Sequence, residues 1–155
     1  MIQRIQSLYF LIAVALLALS FASSYFSFKI DDISYDVAFQ GVNKLLNNVT
    51  TEKKLMFWLP ITLQILALIA TILLFKNRKM QVRMGWLSFF LNLGTTAWIY
   101  FAANSFFTSQ AGKTGSDFVL EMGFFVHASA FLFIFLGIQG VRKDKKLIDS
   151  LNRLR

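Results

Sequence analysis

The feature that most constrains the fold is a short basic segment between two long uncharged runs. Residues 76–83 carry four positive charges and no acid, whereas Leu55–Phe75 and Met84–Gly112 on either side carry no charged side chain. About 20 predominantly apolar residues suffice for a helix to cross a bilayer, and Lys and Arg are retained in cytoplasmic loops. The pattern therefore predicts two membrane-spanning helices joined by a cytoplasmic loop.

Two further uncharged runs, one near each end of the chain, extend this pattern to four spans. With 56% hydrophobic residues among 155 and a mean hydropathy of +0.57, the chain has more apolar surface than one soluble core can bury. We predict an all-α membrane protein: a four-helix transmembrane bundle forming a single domain over residues 1–155. The predicted spans are about 6–26, 55–75, 84–106 and 118–141.

Two of these spans leave an alternative open. The first run follows Arg4 and ends among small residues, so a cleaved signal peptide competes with a retained anchor. The third run is interrupted by polar residues, including Asn92. If it did not cross, however, the basic C-terminal segment would lie outside, and polar or small residues suit a helix that faces its neighbours.

The distribution of charge predicts the orientation. The connections expected on one side contain eleven basic and two acidic residues, a net charge of +9. Those expected on the other side contain five basic and six acidic residues, a net charge of −1. The positive side is the cytoplasmic one, so we expect a bacterial inner-membrane protein with both termini in the cytoplasm. This distribution of the basic residues over one side of a membrane argues against a nucleic-acid partner.

The outer loop, residues 27–54, shows two short alternating patterns. Apolar and polar residues alternate over about 25–30 and again over 33–39, on either side of Asp31-Asp32. This period of two predicts a small extracytoplasmic β-hairpin between the first two helices. Its apolar face caps the bundle or docks a partner. For residues 41–54 we expect a loop or a short helix.

The basic segments predict contacts with anionic lipid headgroups or with another membrane protein. Residues 142–155 place Leu and Ile at helical spacing among basic residues, which predicts an amphipathic cytoplasmic tail on the membrane surface. The candidate contacts are Arg4, Lys76, Arg78, Lys79, Arg83, Arg142, Lys143, Lys145 and Lys146.

A polar layer is predicted inside the bundle. Gln64, Thr95, Thr96 and His127 fall at similar depths in three predicted spans. Such side chains hydrogen-bond helices to one another or line a path for protons or solutes. Because no acid lies at this depth, a proton relay has too few members.

Catalytic chemistry is not indicated. The chain contains no Cys and one His, which excludes disulfides, thiolate catalysis and sites built from several His or Cys ligands. No paired carboxylates or Ser–His–Asp set is apparent. We therefore expect neither an enzyme nor a cofactor.

The cytoplasmic ends carry a family resemblance. Residues 1–9 (MIQRIQSLY), 76–81 (KNRKMQ) and 140–144 (GVRKD), with the closing 151–155 (LNRLR), resemble an uncharacterised family of small bacterial inner-membrane proteins. The resemblance covers the full length and implies four spans, an inner-membrane location and no known substrate or reaction.

Two functions remain from the sequence. The first is a non-enzymatic accessory or scaffold subunit that binds another membrane component. The second is a small transporter or channel, acting alone or as an oligomer, that uses the polar layer. Repeated halves and broken helices, which many secondary transporters have, are not evident in the sequence.

Overall fold

The computed structural model describes residues 3–30, 33–39, 41–46, 49–54, 57–111 and 118–153. The fold is mostly helical, and four helices form an up-and-down bundle. Within the described residues, the segments Trp58–Lys76 and Met122–Ile148 are long and apolar enough to cross a membrane, and Ile5–Ser20 is a shorter apolar helix. The four helices are α1 (Gln3–Ser20), α2 (Trp58–Leu73), α3 (Arg78–Ala111) and α4 (Met122–Arg153).

Close approach of α1 to α4 depends on two glycines of α4. A Cβ atom added at Gly137 would lie 2.7 Å from the Phe10 ring, and one at Gly140 would lie 2.7 Å from the Gln6 side chain. The Gln6 amide also donates a hydrogen bond of 3.0 Å to the Gly140 carbonyl. Small residues let helix backbones approach in this way.

The described strands form one antiparallel sheet at the end of the bundle where α4 begins. Its order is β4-β3-β2-β1-β5, so that β1 lies between β2 and β5. The predicted first hairpin is confirmed, with Phe26 opposite Val37 and Ile30 opposite Ile33, although its Asp31-Asp32 turn lies outside the described residues. The strands are β1 (Phe26–Ile30), β2 (Ile33–Ala38), β3 (Gly41–Leu46), β4 (Val49–Lys54) and β5 (Phe118–Leu120).

The expectation for residues 41–54 was wrong, and so was the start of the fourth predicted span. In place of a loop or short helix, β3 and β4 form a second hairpin. In place of helix from residue 118, β5 pairs with β1, and α4 begins only at Met122. The reason is that strand pairing satisfies backbone groups at an edge of β1 and of β2 that a lone hairpin would leave open.

The basic segments belong to helices rather than to separate loops or tails. The expected loop 76–83 is a short 3₁₀ turn, Leu74–Lys76, followed at Arg78 by the first turns of α3. The expected separate tail from residue 142 is the continuation of α4 as far as Arg153. Lys, Arg, Gln and Leu are good helix formers, so helix is favoured over both segments once the break at Asn77 has been passed.

Two apolar clusters fill the interior. The sheet-side cluster joins the sheet to the adjacent helix ends and consists of Tyr25, Phe26, Phe28, Tyr35, Val37, Phe57, Ile61, Ile99 and Ala103. The basic-side cluster lies towards the opposite end and consists of Phe10, Ala13, Leu17, Leu68, Ala130, Ile134, Ile138 and Val141.

Candidate functional site: a buried polar layer and a basic cavity

A layer of polar side chains separates the two apolar clusters. On α2, Gln64 lies between Ile61 of the sheet-side cluster and Leu68 of the basic-side cluster. On α4, His127 precedes Ala130 by one helical turn. Gln64 and His127 are fully buried and Thr95 is 6% exposed, so three of the four predicted layer residues lie in the interior; Thr96 is partly buried.

The two threonines bond to their own helix. The Thr95 hydroxyl donates to the Leu91 carbonyl at 2.7 Å, and the Thr96 hydroxyl donates to the Asn92 carbonyl at 2.8 Å. This i−4 pattern is common for Ser and Thr within helices. These two hydrogen bonds therefore do not join α3 to another helix.

Three other side chains have no hydrogen-bond partner within the described residues. They are the amides of Gln64 and Asn92 and the ring nitrogens of His127. An unsatisfied buried polar group costs roughly 1–3 kcal/mol, so the fold retains them against a considerable penalty. The predicted role of Gln64 and His127 in joining helices through side-chain hydrogen bonds has no counterpart among these contacts.

Two members of the layer, Asn92 and Ser20, were not expected from the sequence. Asn92 is fully buried, and Ser88, Asn92 and Thr95 occupy one face of α3 at the spacing i, i+4, i+7. In the sequence, that helical spacing was the signal that could have revealed the buried polar face of α3. Ser20 was also missed, because it is joined to the layer through Tyr25, which follows the end of α1.

Tyr25 connects α1 to the polar layer. Its hydroxyl donates to Ser20 Oγ at 3.3 Å, and Ser20 Oγ donates to the Leu17 carbonyl at 2.7 Å. The Tyr25 and His127 rings meet edge to face, with centroids 6.1 Å apart. The layer thus offers amide, hydroxyl and imidazole groups, which suit hydrogen bonding to a small polar molecule rather than acid–base relay.

The acidic side chains nearest the sheet accept hydrogen bonds from serines rather than contacting the polar layer. Ser27 Oγ donates to Glu121 Oε1 at 2.6 Å, and Ser24 Oγ donates to Asp36 Oδ2 at 3.1 Å. Glu121 therefore holds β1 near the start of α4. Among the described residues, no group of three or more His, Cys, Asp or Glu side chains is arranged to hold a metal ion.

At the opposite end, a cavity of about 500 Å³ opens between α3 and α4. Its described lining comprises five cations and one valine. Three of the lining residues come from each helix: Lys79, Val82 and Arg83 from α3, and Arg142, Lys145 and Lys146 from α4.

Only some of the predicted basic contacts line this cavity. Arg78 instead forms an ion pair with Asp144, with 2.7 Å between Nη1 and Oδ2. Lys76 and Lys143 are exposed but are not part of the lining. Arg4 lies in α1, and its side chain is outside the described part of the structure. The sequence thus identified the charges, but not which of them face one another.

The outward faces of the helices are apolar. Leu66 and Leu73 of α2 are 63% and 70% exposed, and Phe90 and Phe101 of α3 are 63% and 64% exposed. α1 and α4 add exposed leucines and phenylalanines. Exposed apolar surface that extends over several helices marks contact with protein or with lipid.

Fold and site together define a small helical bundle with apolar outer faces, an internal polar layer and one strongly basic end. The chain belongs to the family described as a domain of unknown function, DUF4293, which matches residues 2–154. The expected kinship with an uncharacterised family is therefore confirmed. No curated protein matches the chain.

Proposed function

We propose that this protein is an integral membrane protein of the bacterial inner membrane and a non-enzymatic accessory or scaffold subunit that binds another membrane component. In this proposal all four helices cross the bilayer, the sheet is extracytoplasmic and both termini are cytoplasmic. One combined observation carries the proposal. The outer faces of the helices are apolar, and the basic end of the bundle differs in charge from the sheet end.

The apolar faces support the membrane location. In water, side chains such as Leu66 and Phe90 would leave a large apolar area exposed, whereas lipid covers it at no cost. Two helices meet the length and composition of a span on their own. α1 and α3 pack against them, and α3 carries its buried polar residues on one face, as suits a helix within a bundle.

The arrangement of charged groups supports a binding role rather than catalysis. Glu121 and Asp36 accept hydrogen bonds from serines at the sheet, and Asp144 is paired with Arg78. The other described cations at the basic end are exposed or line the cavity. Surfaces of this kind recognise anionic lipids or an acidic region of a partner.

Reporter fusions and purification test the proposal. Alkaline phosphatase fused after Met80 or at the C-terminus should be inactive, and a fusion at Gly112 should be active. Purification in mild detergent should recover a membrane partner at constant stoichiometry. An active fusion after Met80 contradicts the topology, and a partner-free protein with transport activity contradicts the accessory role.

A small transporter or channel is the second candidate, favoured by the unpartnered polar side chains of Gln64, Asn92 and His127. Helices of one chain or of an oligomer would use this layer to pass a small polar solute. The test is flux in proteoliposomes. Flux in the parent protein that His127→Gln abolishes, with the fold intact, would replace the scaffold proposal.

A further inference from the structure

Basic faces of α3 and α4 are turned towards each other at the basic end. Lys79, Val82 and Arg83 have the spacing i, i+3, i+4 on α3, and Arg142, Lys145 and Lys146 have the same spacing on α4. Residues at this spacing share one face of a helix. The cavity between the two helices is lined by both sets. The fold thus brings like charges together.

The neighbouring acid does not compensate these charges. Asp144 is 6% exposed and its carboxylate is bound to Arg78, so it neutralises a cation that lies outside the lining. No acid belongs to the described lining of the cavity. Five positive charges around about 500 Å³ repel one another and strongly attract an anion.

One of the cations, although exposed, is restrained by contact with an aromatic ring. The guanidinium of Arg142 lies over the Trp86 ring, 5.8 Å from its centroid. Trp86 in turn packs on Phe89 and Phe90 of the same helix. A guanidinium fixed in this way binds phosphate with less loss of side-chain freedom than a free one.

We propose that this cavity is a specific binding site for a phosphate-containing ligand that carries two or more negative charges. That ligand is the headgroup of a phospholipid at the membrane surface. The cavity volume lies in the range of about 300–1,000 Å³ typical of small-ligand sites, so it fits a headgroup rather than a macromolecule. Basic cavities between helices at the cytoplasmic side recognise such headgroups. The lipid source rests on the proposed membrane location, whereas the anion site does not.

The experiment uses the purified full-length protein in a neutral detergent and in phosphatidylcholine nanodiscs. The probes are cardiolipin, whose headgroup region carries two phosphates, phosphatidylglycerol, which carries one, and inorganic pyrophosphate. Native mass spectrometry counts bound lipids, and titration gives the affinity at physiological salt. We expect one saturable cardiolipin per chain, bound more tightly than phosphatidylglycerol.

The variant Arg83→Gln/Arg142→Gln should weaken binding by about thirtyfold, as expected for the loss of two basic residues beside an anionic headgroup. Its matched control, Lys76→Gln/Lys143→Gln, removes the same charge from the same end but outside the cavity. That control should change the affinity by less than about threefold, because both lysines are exposed and neither belongs to the described lining, so salt weakens their effect on the ligand. If the arginine variant does not fold, Lys79→Gln/Lys145→Gln serves instead.

The outcomes separate the two proposals. If pyrophosphate binds tightly in detergent, and the variants change its affinity in the same order, the site is supported and its ligand is a soluble phosphate. Equal losses in the cavity variant and its control, many lipids per chain, or no saturable binding of any probe would overturn it. Carbonate extraction of the same variants reports membrane integration separately, so failure of the site leaves the membrane proposal standing.

Discussion

The two ends of the molecule handle polar groups in opposite ways. At the sheet end, side chains and backbone satisfy one another: Tyr25 N–H donates to the Val37 carbonyl at 2.7 Å, and Gly123 N–H donates to the Ser24 carbonyl at 3.0 Å. At the basic end, Arg78–Asp144 is the one ion pair among the described residues, and the neighbouring cations face a cavity. The sheet end is therefore closed by the chain itself, whereas the cations of the basic end surround an open cavity, where we propose that a ligand binds.

The largest effect is expected where the closed end is tightest. A Cβ atom at Gly123 would lie 2.5 Å from the Ser24 carbonyl oxygen, which is backbone and cannot rotate away. Gly123→Ala should therefore separate the start of α4 from the segment before β1 and lose about 3 kcal/mol of stability. Reversible unfolding in detergent measures this loss.

Gly94→Ala is the matched control for that prediction. A Cβ atom there meets nothing within 4 Å, and the residue is exposed on α3. Because Ala favours helix over Gly, this variant should be neutral or stabilised by up to about 1 kcal/mol. Equal effects at the two glycines would show that close packing at the sheet end is not what holds it.

A smaller effect is expected for the one ion pair of the open end. Asp144→Asn keeps the size of the side chain but leaves Arg78, whose side chain is 16% exposed, without its carboxylate at the strongly basic end of the molecule. We expect a loss of about 2 kcal/mol, below the range for fully buried pairs because water reaches Arg78. Thermal unfolding at low and high salt measures it, and salt should reduce the loss.

Two further variants sharpen the ion-pair prediction. Lys143→Gln, beside Asp144 but exposed, should change stability by less than about 0.5 kcal/mol. The double variant Arg78→Gln/Asp144→Asn should recover part of the loss, because no unpaired charge is then left behind. Additive losses in the double variant would mean that the two side chains do not interact energetically.

The smallest effect is expected between the two ends, in the polar layer. Since the His127 ring nitrogens have no partner among the described residues, His127→Leu removes no hydrogen bond there. The stability should change by no more than about 1 kcal/mol, and His127→Gln should behave similarly. Unfolding in detergent and partner recovery both test this. A loss well above that value in His127→Leu would reveal an interhelical hydrogen bond.

The sequence predicted those parts of the fold that repeat a local period. Alternation over residues 26–38 located the first hairpin and its register, and the uncharged runs located the helices. The second hairpin was missed because β3 and β4 lack clean alternation. β5 was missed because three residues signal a strand only once β1 lies beside them.

The candidate sites show the same limit. Burial of Gln64 and His127 followed from their position in apolar runs, because a polar residue there faces its neighbours. The polar residues of the third run, including Asn92, suit a helix that faces its neighbours, but Asn92 was not assigned to the polar layer. The basic residues were evident from charge, but their convergence between α3 and α4 is a tertiary contact, which charge counts do not contain.

The unbroken course of α4 has a mechanical consequence. Its 32 residues extend for about 48 Å, from Met122 beside the sheet to beyond the basic cavity. Glu121 alone separates α4 from β5, which is hydrogen-bonded to β1. A helix transmits thrust and torque along its axis as a nearly rigid rod. We therefore expect a displacement of the strand at one end to move Arg142 at the other, because no loop lies between them to absorb the movement.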